Sequence, residues 1–135
     1  MKCSELQIGD YIKYQGQIYI IEEISAKGWV HLIHPKTKAR LNMASDYIID
    51  LLEPIPLTPK ILERNGFKLN PQGAYSNGRH TSIGVVRDDR YFANINTETD
   101  DPSFLYQCGK YVHEFQHALR ICGLSDLADN FKVEE

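Results

Sequence analysis

The chain has 135 residues, 42% hydrophobic and 24% charged, with a formal net charge of −3. That balance marks a globular chain rather than a disordered one, and it lacks the broad basic face that a nucleic-acid partner would call for. No apolar run reaches the roughly 18 residues a membrane span requires, so none is expected. The opening MKCSELQIGD has no apolar signal core, and the three cysteines suggest no disulfide framework, so a reducing cytoplasm is the expected location.

From residue 6 to residue 53 the sequence reads as short strands separated by turns. Strands are expected at Asp10–Tyr14 and Ile18–Ile24, joined at Gln15-Gly16. Lys27-Gly28 then turns the chain into Trp29–His34, where Val30 and Leu32 share one face and Trp29, His31 and Ile33 the other. A hairpin at His34-Pro35-Lys36-Thr37 leads to Ala39–Met43, and Ile48–Leu52 follows as a fifth strand. Lys36, Lys38 and Arg40 form the only local basic group, read as a solvated turn. Five short strands in about fifty residues suggest a small SH3-like barrel, in which closure removes exposed edges. Tyr11, Tyr19, Trp29 and His31 are its candidate binding residues. They could offer an aromatic surface to a peptide, a nucleic acid or a neighbouring domain, or pack against the rest of this chain.

Glu53-Pro54-Ile55-Pro56-Leu57 is stiff and extended, and marks a boundary between a barrel module at 1–53 and an α+β module at 54–135. Thr58-Pro59 supplies a capping hydroxyl and a first-turn proline for a short helix. Ile61 and Leu62 are its apolar side, and Gly66 ends it with Phe67 placed for a hydrophobic contact. Residues 67–97 read as an antiparallel meander of three or four strands, with turns at Asn70–Gly73, Asn77-Gly78 and Asp88-Asp89. Phe92 and Val85 are expected to face the last helix.

That helix is expected over Tyr106–Leu124. Cys108, Val112, Phe115, Leu119 and Cys122 recur at steps of four and three, and Tyr111 and Ala118 widen the stripe. Asp100, Asp101 and Pro102 supply start chemistry, and Gly123 lies where a left-handed cap belongs. On one helix Cys108 and Cys122 would be about 21 Å apart, too far to bridge. The fold class is therefore mainly β with an α+β second half: an SH3-like small barrel, a helix, an antiparallel meander and a long C-terminal helix.

The helix contains His113-Glu114-Phe115-Gln116-His117, which has the HExxH form. Histidines at i and i+4 share a face, and in zinc hydrolases two such imidazoles hold the metal while the Glu activates a water. Here each His lies about 160° from Phe115 on the wheel, on the face opposite the apolar stripe, with Lys110 and Arg120 nearby. The extended HExxHxxGxxH pattern fails, because Arg120 and Gly123 occupy its later positions. A third ligand would have to come from Asp126, Asp129, Glu134 or Glu135 downstream, or from His80 on the sheet. The reading preferred on these grounds is a solvated polar face with no metal and no catalytic residue. Zinc on His113 and His117, with Glu114 as general base, is the alternative.

The segments EPIPLTPKILERNGF and KYVHEFQHALRICGL resemble a family of small uncharacterised proteins of Bacteroidetes-type bacteria and their phages. Its pattern reads I-P-L-T-x-E-I-L-x-K-x-G-F, then Y-V-H-Q-L-Q-N near the C-terminus. The likeness covers the second half well and the first half loosely. Because the positions of Glu114 and His117 are commonly Gln and Asn in that pattern, the resemblance implies a helix held by Val112, Phe115 and Leu119 rather than a zinc site. It implies local polar contacts for His113 and Gln116, and a phage or mobile-element setting. The expected function is a non-catalytic binding or adaptor protein acting on a protein partner. A small zinc-dependent, peptidase-like hydrolase is the alternative.

Overall fold

A computed structural model of the chain describes residues 5–25, 29–43, 51–71, 73–77, 81–86, 90–95 and 104–133. The fold divides into two compact units, Met1–Ile55 with Glu134–Glu135, and Pro56–Val133. Secondary structure is mixed, with antiparallel sheets and short helices.

In the first unit, β1 (Tyr11–Tyr14), β2 (Gln17–Ile24), β3 (Val30–Ile33) and β4 (Arg40–Met43) form one antiparallel sheet in chain order. Tyr14 pairs with Gln17, leaving Gln15-Gly16 as a two-residue turn. Both turn residues have positive φ, 48° and 79°, the type I′ requirement that matches strand twist. Ile12, Ile21, Val30 and Leu32 point to one face and form the core with Leu6 and Leu52, while Tyr14, Tyr19, Ile24 and Leu41 pack against it. Each fully buried aliphatic side chain there contributes about 1.5–3 kcal/mol. Ahead of β1, the Asp10 carboxylate is fully buried and accepts from the Gln7 N–H at 2.8 Å, fixing the Gly9-Asp10 turn.

The expected closed barrel is not what this unit shows. Among the described residues the sheet does not close on itself. Glu53 forms a bridge to Lys13, with backbone bonds of 2.9 and 2.8 Å, on the free side of β1. Residues 48–50 of the expected fifth strand lie outside the described residues.

The second unit opens with α1 (Pro59–Arg64), where Thr58 Oγ1 accepts from the Ile61 N–H at 3.3 Å. Gly66, at φ 84°, closes the helix. The Phe67 N–H reaches back to Leu62 O and the Gly66 N–H to Glu63 O, each at 3.1 Å, which is the Schellman pattern. A meander follows in chain order: β5 (Lys68–Leu69), β6 (Tyr75–Ser76), β7 (Thr81–Val86), β8 (Arg90–Ile95) and β9 (Phe104–Gly109). Last come α2 (Val112–Ile121) and α3 (Ser125–Asp129).

β9 corrects the expected helix start. Phe104-Leu105-Tyr106-Gln107-Cys108 suits a strand in composition and pairs with β8, Ile95 opposite Phe104 and Ala93 opposite Tyr106. Gly109 then turns the chain at φ 70°, outside the helical region, so Cys108 belongs to the sheet and Cys122 to the helix end. Residues 100–102 lie outside the described residues, as do the side chains of Val85 and Phe92.

From Val112 onward the apolar stripe is as expected. Phe115 meets Phe67 at 5.9 Å and Phe131 at 5.7 Å between ring centroids, both edge to face, and all three rings are fully buried. Leu57, Leu62, Ile83, Val112, Leu119 and Ala128 fill out this core. Gly123 ends α2 as expected, with the Leu124 N–H on Leu119 O at 2.9 Å. The tail is pinned by Asn65. Its amide donates to Ile61 O and Lys132 O at 2.8 Å, and its oxygen accepts from the Lys132 N–H at 2.6 Å.

Candidate functional site

The pentad 113–117 is built on the first two turns of α2. Tyr111 is the N-cap residue and uses no side-chain cap, which leaves first-turn amides to other acceptors. Glu114, the third helical residue, turns back to the preceding turn, and its Oε1 accepts from the Lys110 N–H at 3.3 Å. The carboxylate also lies directly over Gly109, where an added Cβ would collide with it. A negative charge at this end of a helix is favourable, so Glu114 has a complete structural role as first-turn acid and backbone acceptor.

His113 is only 6% exposed and Gln116 is fully buried, which corrects the expectation that this face is solvated. The expectation followed from a single stripe facing a single layer. In the fold, α2 is covered on two sides, because α3 and the tail return along the flank that carries Gln116. Gln116 Nε2 donates to Ala128 O at 3.0 Å and so ties the two helices together. The buried arc thus runs from Ala118 through Phe115, Leu119, Val112 and Gln116 to His113. Tyr111 stacks on His113 at 6.1 Å with 15° between planes. His117, half-buried, meets His113 edge to face at 5.5 Å.

The i, i+4 spacing therefore brings the two imidazoles together as expected. Among the described residues, no group of three His, Cys, Asp or Glu side chains is placed to share a metal ion. Asp129 is occupied by Arg120 at 3.4 Å, and Asp126 is exposed. His80, Glu134 and Glu135 lie outside the described residues.

The four aromatic candidates of the first unit divide between the two faces of its sheet. Ile12 pairs with Tyr19, so Tyr19 points to the core side, where it packs on the cluster and meets the His34 ring at 5.6 Å. Tyr11 pairs with Ile20 and Ile20 with Ile33, so these three share the opposite face. By alternation His31 and Trp29 belong to that face too. Tyr11 is 8% exposed, His31 half-buried and Trp29 46% exposed. Trp29 is held by its backbone rather than its ring: its N–H donates to Ser25 Oγ at 3.0 Å, and its carbonyl accepts from the Ser25 N–H at 2.8 Å.

Set against protein-family models, curated proteins and solved structures, the chain matches none.

Sequence reasoning placed Ile33 on this face with Trp29 and His31 but missed Ile18 and Ile20. The signal was present in β2, where apolar residues at 18, 20, 21 and 24 exceed what one face can hold. What strand alternation lacked was the register that assigns each to a side. The face opposite the core thus combines an aliphatic row with Trp29 at its margin, and carries Lys13 and the Arg40–Glu22 ion pair at 3.1 Å as polar neighbours.

Proposed function

We propose that the chain is a non-catalytic binding or adaptor protein, and that it engages a protein partner through the face of the first-unit sheet opposite the core. The observation that carries this reading is Trp29, nearly half exposed beside His31 on a face that also holds Tyr11, Ile20 and Ile33. Tryptophan with an apolar body, a donor tip and a backbone already fixed is well suited to anchor a protein interface. The reading is supported by the pentad as well. Glu114 accepts from the Lys110 N–H just ahead of the helix, Phe115 and Gln116 are buried in the core, and His113 is covered, which leaves these residues occupied with holding the fold.

The reading includes an SH3-like first unit. The bridge from Glu53 to Lys13 supports it, because closing a small barrel requires the chain to return beside its first strand. It also includes kinship with the small Bacteroidetes and phage proteins of the IPLT motif, and a cytoplasmic location consistent with the free Cys122 thiol.

Trp29 is the only tryptophan in the chain, so its emission reports directly on this face. A partner isolated from the source cell should shift that emission to the blue. Trp29→Ala should weaken binding by about 10-fold or more, as expected of an anchor residue, without changing thermal stability appreciably. A partner that binds Trp29→Ala as tightly as the unaltered chain would remove the face from consideration. Turnover of any substrate that is lost in Glu114→Gln would overturn the non-catalytic reading itself.

A further inference from the structure

The β3–β4 connection is closed by a side chain whose bonding capacity depends on a proton. His34 Nδ1 accepts from the backbone N–H groups of Lys36 and Thr37, each at 3.2 Å. Around it the connection folds tightly: the His34 N–H donates to Ala39 O at 2.8 Å and the Lys38 N–H to His34 O at 3.0 Å. The Ala39 N–H reaches Thr37 Oγ1 at 3.3 Å, and Lys38 sits in the left-handed region at φ 62°. A side-chain acceptor at the head of such a turn, followed by Pro, is ordinarily Asp or Asn. Imidazole differs from both, because it accepts only through a nitrogen that carries no proton. The two bonds therefore require the tautomer with hydrogen on Nε2, and a doubly protonated ring can make neither.

We infer that His34 is a proton-operated latch on the β3–β4 connection, closed when the ring is neutral and released when Nδ1 takes a proton. Among the described residues the ring also meets Tyr19 of β2, edge to face at 5.6 Å. Tyr19 of β2, Lys36 and Lys38 are, among the described residues, the titratable and charged groups on the ring and its own connection, while Arg40 is paired with Glu22 on the opposite face of the sheet. Lys36 and Lys38 are exposed. Protonation places a further positive charge beside them, and the repulsion acts in the same direction as the loss of the two bonds. Both Nδ1 bonds need an unprotonated nitrogen, so the connection is closed while Nδ1 is bare and open once it carries hydrogen. This latch does not depend on the proposed partner face, and either can fail without the other.

The experiment is an NMR titration of the full chain between about pH 5 and about pH 8, the interval in which imidazoles ordinarily change charge. At the alkaline end the ring nitrogens of His34 should report hydrogen on Nε2. As His34 titrates, the Lys36 and Thr37 amides should shift with the same midpoint. Their exchange protection should fall by about tenfold or more, the loss expected for two hydrogen bonds. His34→Asn retains an acceptor that does not titrate, so in that variant both amides should keep their closed positions throughout. Hydrogen on Nδ1 at the alkaline end would overturn the inference, as would amides that ignore the His34 titration. Amides that still titrate in His34→Asn would do so as well, since the response would then belong to another group such as His31.

Discussion

The contact between Glu114 and the Gly109-Lys110 turn can be tested by a double-mutant cycle. Glu114→Ala removes the acceptor of the Lys110 N–H, worth about 1 kcal/mol, and the first-turn negative charge, worth about 0.3–1 kcal/mol. A loss of about 1–2 kcal/mol is expected. Gly109→Ala forces a side chain into a backbone at φ 70°, costing about 1–2 kcal/mol, and drives the carboxylate off Lys110 as well. Its total should reach about 2–3 kcal/mol. In the double mutant the Lys110 bond can be lost only once, and the added methyl no longer meets a carboxylate. The double mutant should therefore be less destabilised than the two single changes together, by about 1 kcal/mol. Urea unfolding followed by the helical far-UV signal, compared at equal m-values, measures all four corners. Glu114→Gln, whose amide oxygen can still accept, should cost less than Glu114→Ala. Additivity within about 0.3 kcal/mol would refute the contact, because side chains that share no partner behave independently.

Four further outcomes follow from the second unit and its motif. Asn65→Ala removes the three hydrogen bonds that hold Ile61 and Lys132, and should destabilise the second unit by about 2–3 kcal/mol and expose the Lys132 amide to exchange. Gln116→Leu keeps the volume but leaves the buried Ala128 carbonyl without its donor; a loss of about 1–3 kcal/mol in urea unfolding is expected, and an unchanged midpoint would show that the amide is not needed. Phe115→Ala takes out the ring between Phe67 and Phe131 and should cost about 3–5 kcal/mol, enough to leave the second unit largely unfolded by NMR. Elemental analysis of untagged protein purified with zinc supplied should give well under one zinc per chain; one zinc, lost in His117→Ala, would restore the hydrolase reading.

Local chemistry was legible throughout. Thr58 caps, Gly66 and Gly123 end their helices in left-handed backbone, and Gln15-Gly16 turns a hairpin, because each depends on residues within a few positions of itself. The helix start was misread for the complementary reason. Cys108 satisfies the helical period by standing one four-residue step before Val112. What holds Phe104–Gly109 in a strand is pairing with β8, which no periodicity within the segment encodes. The short helix Ser125–Asp129 gives too few residues for a period to emerge, and without it the burial of Gln116 cannot be foreseen. Several residues of the two segments 53–67 and 110–124 serve the fold. Ile61, Leu62 and Phe67 are buried, Thr58 and Gly66 cap, and Val112 and Phe115 lie in the core.

Asn65 and Lys132 stand 67 positions apart, and Phe67 and Phe131 enclose Phe115 from nearly the two ends of the second unit. The four strands of the first unit's sheet, by contrast, are all in place by residue 43. During synthesis, therefore, the first sheet can form while the second unit still lacks the residues that complete its core. The second unit's last contacts carry a large loop-closure cost, and such contacts form late. Pulse-labelled exchange during refolding should find the amides of residues 11–33 protected before those of 115–131. The reverse order would mean that the aromatic trio nucleates the unit instead of sealing it.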